Sequence, residues 1–149
     1  MADLTSAADL RVWGEAYTER YEVDSTGAQT IYRGTPIIHD MNLDNTGHVN
    51  PFVAAVVVAD GDVSVGIAAE NFSSAAAEVK FIECYVFPTI LGFKSTVFTN
   101  ADLGKLVFPA DSGLLATTVA AHPLIGTLWR VDDGYAWIRL TRPYIHTGG

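Results

Sequence analysis

The chain has little charge and less positive charge. Of its 149 residues 17% are Asp, Glu, Lys or Arg and 49% are hydrophobic, where ordinary soluble domains carry about 25% charge. A monomer needs charge to stay dispersed, so part of the apolar surface is expected to be covered by another chain. Nine Lys and Arg stand against 17 Asp and Glu, a formal net charge of -8. The basic residues are scattered singly and nowhere form the run that neutralises successive phosphates, which argues against a nucleic-acid partner. A single cysteine, Cys84, rules out an intrachain disulfide; placed in the apolar run Phe81 to Val86, it reads as a small buried side chain. No stretch reaches the roughly 18 consecutive apolar residues of a membrane helix, so no membrane partner is expected. The opening Met1-Ala2-Asp3-Leu4-Thr5-Ser6 lacks the basic and apolar regions of a signal peptide, and the protein is expected to be made and kept, or assembled, in a cytosol.

The patterns of catalytic and metal chemistry are missing as well. The four histidines, His39, His48, His122 and His146, lack the close pairing of a zinc site, and one cysteine cannot complete a set. Asp40, Asn42 and Asp44 offer oxygens at alternate positions, as a calcium loop does. However, Asn45 stands where that loop needs glycine and Pro51 where it needs a bidentate Glu, so the segment reads as a polar turn. Ser64 is one position short of a nucleophile elbow and falls within a strand. Cys84 has no neighbouring base or helix start to lower its pKa. The acid pairs Asp60/Asp62 and Asp132/Asp133 fall in expected turns, where carboxylates are solvated and accept from nearby N–H groups. Asn71-Phe72-Ser73 matches a glycosylation acceptor but lacks a secretory signal. With no nucleophile, base and orienting group to assemble, neither enzymatic activity nor a cofactor or metal is expected.

What is present is a succession of short β-type runs, broken by Gly, Asn and Asp turns, that predicts a mainly β single domain: a small barrel or sandwich. Val53–Val58 and Val63–Ala68 flank Asp60-Gly61 as a hairpin. Lys80–Phe87 and Ile90–Val97 are separated by Pro88, which has no N–H for a ladder and marks a bend or an edge. Thr127–Val131 and Tyr135–Leu140 flank Asp132-Asp133-Gly134, the strongest hairpin signal in the chain. One helical turn is expected at Asn100–Gly104, with Asn100 as cap and Gly104 as stop.

Three stretches carry a likeness. They are Val65-Gly66-Ile67-Ala68-Ala69-Glu70, then Phe98-Thr99-Asn100-Ala101-Asp102-Leu103-Gly104-Lys105-Leu106-Val107-Phe108, and then Ile125 through the Val131-Asp132-Asp133 hairpin to Trp137-Ile138. In this order and spacing, from about Thr30 to Arg142, the chain resembles the head decoration (cement) proteins of tailed bacteriophages. It departs from them at Val86-Phe87-Pro88-Thr89, where relatives often carry an Arg-Gly turn. The resemblance implies a β-barrel that forms a homo-oligomer, a trimer in similar proteins, and binds the major capsid protein on the outer surface of an icosahedral head. Such a protein would reside on the virion after assembly in the host cytoplasm.

Residues 1–29 lie outside the resemblance and are expected to form an extended arm ahead of a domain at 30–149. Either a short helix from Ser6, carrying Leu10, Trp13 and Tyr17 at helical spacing, or a strand from Ala16 to Val23 fits this segment; Gly14 favours the strand. Leu4, Leu10, Val12, Trp13 and Tyr17 are too many apolar groups for a solvated tail and are expected to meet a partner. Trp129 and Trp137 belong to the hairpin, with at least one in the core. The rival reading is a β-barrel that binds a ligand or carbohydrate on a virion spike or fibre, favoured if exposed aromatics surround one site.

Overall fold

Alternating apolar residues closed off by turn formers become strands almost throughout. The structure is a computed structural model that describes residue 4 and residues 6–39, 47–52, 62–95, 97–110, 115–117 and 122–145. Among the described residues it contains, in chain order, β1 (Leu10–Trp13), β2 (Thr18–Glu22), β3 (Gln29–Ile31), β4 (Pro36–His39), β5 (Asn50–Pro51), β6 (Val63–Ala68) and β7 (Phe72–Ser74). These are followed by β8 (Phe81–Tyr85), β9 (Ile90–Lys94), a 3-10 turn at Asn100–Asp102, β10 (Leu106–Pro109), β11 (Leu115–Ala116), β12 (Gly126–Asp132), β13 (Tyr135–Leu140) and β14 (Tyr144–Ile145). One sheet has the order β1-β9-β13-β12-β10-β11, a second β2-β8-β6-β4-β5 with β14 also on β6, and β3 and β7 form a two-stranded ribbon. All these pairings are antiparallel. The sheets do not close on each other, so the architecture is a sandwich and not the barrel that the resemblance implied.

Period-two alternation divides the interior into two cores on opposite faces of the second sheet. In β6 and β8, Ile67 and Tyr85 turn to one side, where they meet Leu10, Leu91, Phe93, Leu128, Ile138 and Leu140 of the first sheet. Their neighbours Ala68 and Cys84 turn to the other, where Ile82 and Ile37 pack with Ile31 and Phe72 of the ribbon and with Val23 and Val49. Ile37 and Ile38 of β4 pair with Gly66 and Ser64, so Val65 is the extra residue of a bulge in β6, and it joins this second core in spite of its position in the alternation.

The first 29 residues are built into both sheets, so no arm precedes the fold over the described residues. β1 pairs with β9, Leu10 opposite Phe93 and Trp13 opposite Ile90, and β2 pairs with β8, Tyr21 opposite Ile82. The strand over Ala16 to Val23 is realised as β2, whereas the helix from Ser6 is not: residues 10–13 are extended and Gly14 takes a positive φ of 79°. The two strand pairs are halves of one long bent ladder. It passes from sheet to sheet where Gly14–Tyr17 runs beside Val86–Thr89, the bend that Pro88 marks in the sequence. The fully buried Thr89 ties the two crossing segments: its Oγ1 accepts from the Tyr17 N–H at 2.8 Å and donates to the Tyr17 carbonyl at 3.0 Å.

The C-terminal hairpin forms in the expected register. Asp132 pairs with Tyr135, leaving the two-residue turn Asp133-Gly134 with φ of 55° and 79°. Both residues thus have the positive φ of the hairpin turns whose twist matches that of the strands. The helical turn also forms, but its cap is Thr99, one residue before the expected Asn100. The Thr99 Oγ1 accepts from the Ala101 N–H, and Asp102 reaches back to the Thr99 N–H at 3.0 Å, while Gly104 ends it with φ 84°. A threonine followed three residues on by a carboxylate completes a capping box, which Asn100 cannot. The other expected hairpin loses its first strand to comparison, since Val53–Val58 lies outside the described residues. Its second strand, β6, pairs with β4, β8 and β14.

Candidate functional site

The outer face of the first sheet carries all three tryptophans. In β1, Leu10 and Val12 turn inward, so Arg11 and Trp13 turn outward. Opposite Arg11 on β9 stands Gly92, and opposite Gly92 on β13 stands Trp137. A Cβ at Gly92 would lie 2.8 Å from the Trp137 ring, so the indole lies over the bare backbone of the glycine. A large side chain at Gly92 would occupy the space in which Trp13 and Trp137 meet, edge to face, with centroids 5.2 Å apart and planes at 80°.

β12 contributes the third ring beside an irregularity. Its register shifts between Leu128 and Arg130, so Trp129 and Arg130 together oppose the single position Trp137. Leu128, opposite Ile138, turns into the core, so Trp129 next to it turns outward, and the bulge keeps Arg130 beside it on the same side. The indole stands on the outer face, 5.1 Å from Trp13 at 72°. Arg130 lays its guanidinium 5.1 Å from the Trp13 ring centroid and pairs with Asp132 at 3.1 Å. Arg11 lies 4.2 Å over the Tyr135 ring, and the Tyr135 hydroxyl donates to Asp9 Oδ2 at 2.8 Å. That hydrogen bond to a carboxylate raises the Tyr135 pKa, with burial adding to it.

The result is two-layered. Trp137 and Tyr135, 8% and 5% exposed, form a floor against the sheet, and Trp13 and Trp129, 41% and 36% exposed, stand over it. Edge-to-face pairs add about 0.5–1.5 kcal/mol each beyond their burial, and exposed cation–π contacts about 0.5–1. The face is therefore held in shape before any partner arrives. Two exposed indoles flanked by guanidiniums supply the residue types that dominate protein interface energies.

Of the five residues expected to meet a partner, Trp13 alone belongs to this cluster. Leu10 is buried in the first core and Val12 is half-buried against it, both on the inner face of β1. Leu4 is half-buried. Tyr17 is 41% exposed and donates to Glu15 at 3.2 Å, which raises its pKa; it sits at the crossing between sheets. Trp129 entered the sequence reading as a hairpin residue. Its outward direction follows from the inward turn of Leu128 beside it.

The other candidate groups lie apart from this face. Cys84 is fully buried and its thiol is pushed up to about 12, chiefly by burial and then by the charges of Glu70 and Glu83. Ser64 is a buried strand residue whose Oγ has no hydrogen-bond partner among the described residues. Asp62, expected to be solvated in a turn, is 1% exposed. His48 Nε2 is 2.7 Å from Glu22 Oε2, and His39 Nδ1 is 3.1 Å from the His48 carbonyl. His122 contacts the Pro109 carbonyl and the Phe52 ring. Among the described residues no three His, Cys, Asp or Glu side chains are grouped to hold a metal ion. The calcium-type sequence Asp40 to Asp44, the acid Asp60 and His146 lie outside the described residues. Comparison of the chain with protein-family models, curated proteins and solved structures found no match.

Proposed function

We propose that the protein is a structural virion protein that binds the outer surface of a phage capsid as an oligomer and reinforces it, in the manner of head decoration proteins. The observation that carries this reading is the outer face of the first sheet: a pre-organised cluster of three tryptophans on a charge-poor sandwich. The resemblance noted in the sequence lends support, since its three stretches meet in one core through Ile67, Phe98, Val107, Ile125, Leu128 and Ile138. On this reading the mechanism is burial. Each copy covers Trp13 and Trp129 against a capsid subunit or a second copy, and many equivalent sites multiply a modest free energy into resistance to internal pressure.

The test is the mass of the protein in solution, followed by its binding to expanded capsids of the phage that encodes it. Saturable occupancy of capsid symmetry sites is expected, and a protein that neither self-associates nor binds capsids would end this reading. The exposed indoles also favour the rival, a carbohydrate-binding module. Against it, rings crossed at 72° and 80°, one of them covered by Arg130, offer a sugar no coplanar platform. Titration with oligosaccharides, followed by tryptophan fluorescence, separates the two.

A further inference from the structure

Further along the same outer face, two arginines stand without carboxylate partners among the described residues, in a chain that has nearly twice as many acids as bases. Arg139 follows Trp137 by two residues on β13, opposite Ile90 and Thr127, so it faces outward beside the aromatic cluster. Arg142 follows the strand and lays its guanidinium 4.7 Å over the Phe87 ring. Both are exposed, and they line a depression of about 300 Å³ with Phe87, Leu124, Thr127 and Thr141. Among the described residues no carboxylate lies within 4.0 Å of either guanidinium. Lys105, Lys80 and Arg130 have Asp102, Glu78 and Asp132, whereas Arg11, Arg20, Arg33 and Lys94 have no carboxylate pair among the described residues either; what sets Arg139 and Arg142 apart is that they share one depression.

We propose that Arg139 and Arg142 form a seat for a carboxylate borne by an acidic side chain of a partner protein. A guanidinium over a ring keeps its in-plane N–H groups for a ligand, and its planar fork matches the two oxygens of a carboxylate. Thr127 and Thr141 add hydroxyls, while Phe87 and Leu124 give the methylenes of the incoming side chain an apolar wall. The protein's net charge of -8 selects a protein partner over a polyanion. A polymer carrying a charge on every unit meets the acidic remainder of the surface, whereas one carboxylate senses only charges within about 8 Å. This inference does not depend on the capsid reading, because any partner with an exposed acid and apolar flanks would satisfy it.

The test is an NMR titration of the full chain with a short capped peptide bearing one glutamate among leucine and alanine. Saturable shifts are expected at the Nε–H groups of Arg139 and Arg142 and at the Thr127 amide. Affinity should fall about tenfold, the equivalent of about 1.4 kcal/mol, when the glutamate is replaced by glutamine. This comparison is made on the wild-type protein and needs no variant to fold. The double variant R139Q/R142Q should lose the shifts while keeping the remaining amide spectrum. Equal binding of the glutamine peptide, or binding retained in the folded double variant, would overturn the proposal. So would sulfate binding as tightly as the peptide, which would make this a simple anion site, or an oligoglucuronate binding more tightly, which would make the ligand a glycan.

Discussion

Thr89 does the most structural work per atom. Its hydroxyl satisfies both the N–H and the carbonyl of Tyr17 at the point where two chain segments change sheets. Thr89→Val keeps the shape but leaves the Tyr17 N–H without its partner, while the carbonyl still accepts from the Val86 N–H at 2.9 Å, at a cost of about 1–3 kcal/mol. Thr89→Ser, which keeps the hydroxyl, should lose less; the urea midpoints of the two variants measure the difference. Cys84 makes a prediction about alkali. Its thiol is pushed from 9.0 to about 12, so between those values the folded state holds a proton that the unfolded state has released. The stability associated with that proton is complete below pH about 9 and is lost as pH rises toward about 12. Unfolding free energies measured across that range should fall with pH, and Cys84→Ala should show a shallower fall. At neutral pH the native thiol should react with a disulfide reagent only as fast as the protein opens.

Among the elements, the C-terminal hairpin was the most legible in the sequence, because two neighbouring residues decide it. Asp133 and Gly134 supply the two positive φ values, and the flanking strands follow. An added Cβ at Gly134 meets nothing within 4 Å, so Gly134→Val tests the backbone alone. It should cost at least about 1–2 kcal/mol in thermal or denaturant melting, while Gly134→Asn should be tolerated. The 3-10 turn was legible to within one residue for the same reason. The pairing of the first 29 residues was not legible, because nothing near them in the chain shows what Leu10 and Val12 meet: Phe93 and Leu91 lie opposite them on β9, and Ile67 and Tyr85 of the second sheet share their core. The change of sheet at Pro88 could be read as a bend but not as a crossing. Removing residues 1–15 therefore takes away a strand. The truncated chain should melt many degrees lower or fail to fold, and a melting curve equal to that of the full chain would show that β1 is not needed.

For the whole molecule, the decisive question is what the outer face of the first sheet is for. Trp13→Ala with Trp129→Ala removes the two exposed rings and keeps the buried floor of Trp137 and Tyr135. The loss of edge-to-face contacts should lower stability by about 1–3 kcal/mol, leaving the protein folded. If the face is an interface, the same variant should lose oligomer mass or capsid occupancy far more than stability. Light scattering and capsid co-sedimentation measure the first, a denaturant melt the second. Unchanged assembly would assign the tryptophans to the sheet alone.

The pairing of β1 with β9 also bears on how the chain is made. As the protein leaves the ribosome, Leu10 emerges early and Phe93 comes only after most of the other strands. Until then the first strand has no ladder to join, and its apolar side chains are open to other contacts. The first sheet cannot be completed during the early part of synthesis. The newborn chain should depend on holding chaperones for that interval, and ribosome-bound chains stalled before residue 90 should remain sensitive to protease at their first strand.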